Sequence, residues 1–97
     1  MDSQLILKSE NTLVRVMPLE KNASTEWHHH TEVTDHFVCL SGLIKVEAKN
    51  PDKEVMLQPG QITEIKPLHV HRVVNINDHG SAYLLIQGVG TYDIIKV

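Results

Sequence analysis

The 97-residue chain has little cysteine: Cys39 stands alone. No intramolecular disulfide can form, so a reducing cytoplasm is the expected compartment. The chain has no apolar run near the ~20 residues that a membrane-spanning helix needs. Its opening residues, MDSQLILKSE, lack the apolar stretch and cleavage pattern of a secretory signal. It has no excess of positive charge either. Nine Lys and Arg stand against twelve Asp and Glu, a formal net charge of −3. Nucleic acid and anionic membrane both call for a basic face, so neither is expected as a partner. Helical periodicity is missing too, and no linker or low-complexity segment divides the chain.

Short β-type runs fill the sequence instead. Hydrophobic residues make up 41%, enough for a packed interior, and the length suits a single domain over residues 1–97. Apolar residues recur at two-residue spacing in LIL near Leu5, TLVRVMPL from Thr12, HFVCL from His36 and LIKVEAK from Leu43. EVML, QITEIK, HRVVNI, SAYLLIQ and YDIIKV follow. Turn residues separate them at Asn22, Ser41-Gly42, Asn50-Pro51-Asp52, Pro59-Gly60, Pro67, Asn77-Asp78 and Gly80. Nine or ten short strands without helices predict an all-β sandwich or barrel. HFVCLSGLIKV and VMLQPGQITEI each read strand, Gly turn, strand, which suggests a jelly roll of two similar halves.

Histidine is abundant, with seven residues, and four fall within TEWHHHTEVTDHF. The run is internal, which argues against an expression tag. In an extended Trp27–His30 segment, His28 and His30 project to one face and His29 to the other. Two imidazoles on one side of a strand begin a site for a divalent transition metal. Asp35 is a candidate third ligand, because a hairpin after His30 would lay it beside the pair. His71, in a second His-x-His with His69, is another. Parity sets His36, like His29, on the opposite face, where exposure or strand packing is expected.

These residues resemble the motifs of the cupin superfamily. The first motif, G-x5-H-x-H-x(3,4)-E-x6-G, is matched by His28, His30, Asp35 and Gly42, with Asp in the Glu position and Asn22 in that of the first Gly. The second, G-x5-P-x-G-x2-H-x3-N, is matched by Gly60, His71 and Asn75, with Lys66 for Pro and Leu68 for Gly. The match runs from about Asn22 to Asn75. The resemblance implies a double-stranded β-helix, or jelly-roll, barrel holding one divalent metal (Fe, Mn, Ni or Zn). Its ligands would be His28, His30, Asp35 and His71. Asp is one methylene shorter than Glu, so Asp35 either binds the metal directly or orients a ligand or water from the next layer.

Parity from Asp35 puts Phe37 and Cys39 on the metal's side. Both are candidate substrate-binding residues, although Cys39 also fits a small buried core position. Gln87 is a third candidate if the Tyr83, Leu85, Gln87 face points inward. Trp27 suits packing or the wall of a pocket mouth, and Tyr92 and Asp93 fall in a final strand. An open metal site suits a mononuclear enzyme acting on a small polar molecule, with dioxygenase-like chemistry ahead of isomerisation. The alternative is a module that holds a metal and a sugar or organic acid without turnover. Edge strands in so small a barrel need covering, so a homodimer is expected.

Overall fold

The computed structural model describes residues 3–88 and 94–97. Strands β1 (Gln4–Lys8), β2 (Thr12–Leu19), β9 (Ser81–Gly88), β4 (Thr34–Ser41) and β7 (Ile62–Ile65) form one five-stranded sheet in that order. Strands β10 (Ile95–Lys96), β3 (His28–His29), β8 (His71–Asn75), β5 (Ile44–Ala48) and β6 (Lys53–Leu57) form the other. All pairings are antiparallel. The all-β reading holds throughout the described residues, where no helix occurs and hence none could cross a membrane. Of the final strand, Ile95–Lys96 is seen, whereas Tyr92 and Asp93 lie outside the described residues.

Alternation along β5 is the clearest sequence-to-structure link. Ile44, Val46 and Ala48 are buried, and Lys45 and Glu47 between them are not. These residues join Leu19, Phe37, Cys39, Leu57, Ile65, Val73 and Tyr83 in one core between the sheets. On the outer face of the second sheet, Trp27 lies under two cations. Lys49 Nζ stands 4.1 Å and the Arg72 guanidinium 4.6 Å from its ring centre. Such contacts hold a partly exposed indole against the sheet.

One polar knot pins the sheets together at the end away from the histidines. The Asn75 amide donates to the carbonyls of Leu19, Glu20 and His79 at 2.9–3.1 Å. Its Oδ1 accepts from Ser81 Oγ at 2.7 Å and from the Asn77 backbone N–H at 2.9 Å. Gly42, at φ +79°, packs directly on Ser81, and a Cβ there would fall inside the Ser81 side chain. Gly60, at φ +88°, faces open space.

The two glycines are therefore expected to differ when replaced by alanine. Gly60→Ala carries only the left-handed backbone penalty, about 1–2 kcal/mol. Gly42→Ala adds overpacking and breaks the Ser81–Asn75 contact, so a loss of about 3 kcal/mol or more is expected. Urea unfolding of both variants measures this; equal losses would show that the Ser81 contact is unimportant.

Candidate metal centre

The register of the strands assembles the site row by row. In the first sheet, Leu13, Gln87 and Asp35 are cross-strand partners, as are Arg15, Leu85 and Phe37 in the next inward row. In the second sheet, His28 stands directly opposite His71. Face-to-face packing then brings Asp35 and Gln87 against the imidazoles. His28, His30, Asp35 and His71 each offer a ligand atom, all within 4.8 Å of one another. The hairpin expected after His30 is not what joins Asp35 to the histidines. Residues 31–33 instead cross from one sheet to the other, and the contact is made across the barrel interior.

Hydrogen bonds define the chemistry of the donor set. His28 Nδ1 lies 2.6 Å from the Glu26 carbonyl, and His71 Nδ1 lies 2.7 Å from the His69 carbonyl. A carbonyl only accepts, so each Nδ1 carries a proton and each ring turns its Nε2 inward. His71 Nε2 sits 2.8 Å and His30 Nε2 sits 2.9 Å from Asp35 Oδ2. A lone pair facing a carboxylate oxygen at that distance repels it unless a proton or metal cation lies between them. Ligands at right angles and ~2.1 Å from one ion would stand about 3 Å apart. The donor set and its spacing fit a divalent transition metal.

Gln87 holds the carboxylate from behind. Its amide nitrogen donates to Asp35 Oδ1 at 2.8 Å and lies 3.2 Å from His30 Nε2. Burial pushes the Asp35 carboxyl up, but hydrogen bonds from His30 and His71, the charge at His30 and the Gln87 amide together bring it down to about 2. Burial lowers His28; the Glu26 carbonyl opposes this, and the neighbouring His71 and His30 add to it. The cluster thus keeps an ionised carboxylate and a neutral His28, the forms that bind a metal.

A cavity of about 370 Å³ adjoins the cluster. His28, His30, Asp35, Phe37 and Gln87 line its depth with Arg15, Tyr83 and Leu85, and Glu26 and Lys96 stand at its exposed rim. Phe37 and Gln87 thus border the cavity. Cys39 does not: it is buried in the core, and burial raises its thiol. Trp27 lies outside the cavity lining, beneath its two cations. His36 points outward, 3.5 Å from Glu64. Arg15 was not singled out by the sequence motifs. Its signal is a cation at the middle of the alternating row Leu13, Arg15, Met17.

The family model for the cupin domain matches residues 15–88. The chain belongs to the cupin family. A Klebsiella pneumoniae protein with a double-stranded β-helix domain is 19% identical, with a TM-score of 0.85, over 96% of this chain and 80% of that one. An oxalate oxidase is 13% identical, with a TM-score of 0.82, over 90% of this chain and 46% of that one. A Lactobacillus farciminis oxalate decarboxylase is 19% identical, with a TM-score of 0.81, over 91% of this chain and 27% of that one. The cupin thus spans less than half the length of either oxalate enzyme, and these likenesses establish the fold. No curated protein matches the sequence significantly.

Two positions where the sequence departs from the cupin motifs keep a glycine-like backbone. Asn22 has φ +65° and Leu68 has φ +68°. The Leu68 N–H donates to the His30 carbonyl at 2.7 Å, so this strained turn braces a cluster residue.

Metal content should follow this geometry. His30→Ala and His71→Ala are expected to retain less than about a tenth of the wild-type metal after purification without a tag, and His36→Ala all of it. Gln87→Leu is expected to weaken affinity about 10- to 100-fold by loosening Asp35. Elemental analysis and chelator competition measure both effects. Full metal retention by His71→Ala would remove this cluster from consideration.

Proposed function

We propose that this cupin is a mononuclear metal enzyme performing oxygen-dependent chemistry on a small polar molecule. The observation that carries this reading is the convergence of three imidazoles and one carboxylate, of which His28, His30 and Asp35 border a cavity open to solvent. His28, His30, His71 and Asp35 would hold Fe, Mn, Ni or Zn, with Asp35 as a direct ligand. A redox-active ion bound there would supply electron transfer to dioxygen.

The cavity's own groups favour redox over acid–base chemistry. Among the described residues its potential proton acceptors are committed elsewhere. His28, His30 and Asp35 belong to the ligand set. Burial and the Asp35 charge push the Tyr83 phenol well above its usual value, so it stays protonated. Glu26 is paired with Lys96 at 3.1 Å on the rim. Isomerisation or hydrolysis would lack a poised protein base. That an oxidase of oxalate shares the fold is consistent with this choice.

Iron- or manganese-loaded protein is expected to consume oxygen with one member of a panel of small organic acids, polyols and sugars, and His71→Ala is expected to consume none. An oxygen electrode measures this. Tight binding of a panel member without turnover, under every metal, would instead support a non-catalytic binding module.

The proposal includes a cytoplasmic homodimer. The lone buried cysteine suits a reducing compartment. Edge strand β1 exposes Leu5, Ile6 and Leu7 at 54–59% of their surface, an apolar edge suited to burial against a second copy. Light scattering at micromolar concentration is expected to give twice the chain's 11.0 kDa; a monomeric mass would refute the dimer.

A further inference from the structure

We propose that Arg15 is an anion subsite and that the substrate of the metal centre is a small carboxylic acid, held between the metal and the guanidinium. This rests on the metal reading above and specifies its substrate class. Arg15 projects from the middle of β2 into the cavity and is half-buried. Its Nε is buried and has no hydrogen-bond partner among the described residues. Burying a guanidinium nitrogen without a partner is unfavourable, so the side chain gains if a small movement brings this N–H to an acceptor held in the cavity.

Register fixes where Arg15 stands relative to the metal ligands. It pairs with Leu85, which pairs with Phe37, one inward row from the Gln87–Asp35 pair. Its Cα is therefore about 10 Å from Asp35 across two strand spacings and about 7 Å along the strand. An extended arginine side chain covers roughly half of that span, leaving the rest to a molecule of a few heavy atoms. Leu85 and Phe37 form the apolar floor between the two ends.

Charge points the same way. A divalent ion with Asp35 and three neutral imidazoles keeps one positive charge, and Arg15 adds a second. Among the described residues, the other charged pair at the cavity, Glu26 with Lys96, cancels itself. An acid with one carboxylate on Arg15 and a second anionic oxygen toward the metal neutralises the cavity, whereas a neutral sugar leaves the guanidinium unmatched. Arginine's planar fork also suits a carboxylate in two parallel hydrogen bonds.

The test is calorimetric titration of malonate and its neutral isostere malonamide into zinc-loaded wild-type protein, Arg15→Gln and Arg15→Lys. Metal content is measured on the same samples. Malonate is expected to bind the wild type, and Arg15→Gln to bind it about 10- to 100-fold more weakly at unchanged zinc content. Arg15→Lys should fall between, and malonamide should bind all three weakly. Equal malonate affinity in Arg15→Gln and wild type would overturn the subsite, as would malonamide binding the wild type as tightly as malonate, or no malonate binding at all. If Arg15→Gln does not fold, the Arg15→Lys and malonamide comparisons decide. Failure to hold zinc would sink the metal reading separately, and the subsite would then stand or fall on the same malonate titrations of metal-free protein.

Discussion

A single carboxylate oxygen, Asp35 Oδ2, organises the open end of the barrel. It lies within 2.9 Å of two imidazole nitrogens presented from the opposite side of the interior. An ionised group this deeply buried is unfavourable unless it is matched on every side. Gln87 matches its other oxygen. The Glu26 and His69 carbonyls fix the tautomers of two of the rings around it. At the opposite end, the apolar core and the Asn75 knot do the equivalent work of holding the sheets together. The barrel is thus closed by packing at one end and by charge at the other.

That division explains which parts of the site were legible in the sequence. Two-residue alternation separates His28 and His30 from His29, and Asp35 from His36, because a strand's period is fixed by its backbone. Motif spacing added His71, which lies far along the chain but opposite His28. The route by which Asp35 meets the histidines was not legible. A hairpin is a local inference, whereas packing one sheet on another depends on register among strands distant in sequence. For the same reason Gln87 could be seen as facing inward but not as a clamp on Asp35. Arg15 escaped notice because TLVRVMPL reads as a strand whether or not its arginine points inward.

The motif departures at Asn22 and Leu68 carry a related lesson. Both positions keep positive φ although neither is glycine. The turn is dictated by what it must reach, here the His30 carbonyl, and the residue tolerates the conformation it is given. Reading a motif by residue identity alone would count these as losses. Reading it by backbone requirement counts them as retained, at a strain cost of about 1–2 kcal/mol for the leucine.

Trp27 offers the experimenter a built-in probe. It is the chain's only tryptophan, it is held by Lys49 and Arg72, and it immediately precedes His28. Indole emission responds to nearby charge and to the rigidity of its surroundings. The protein therefore carries an optical gauge one peptide bond from a candidate ligand, with no second tryptophan to dilute the signal. Light from that one side chain can report events at the cavity without any label.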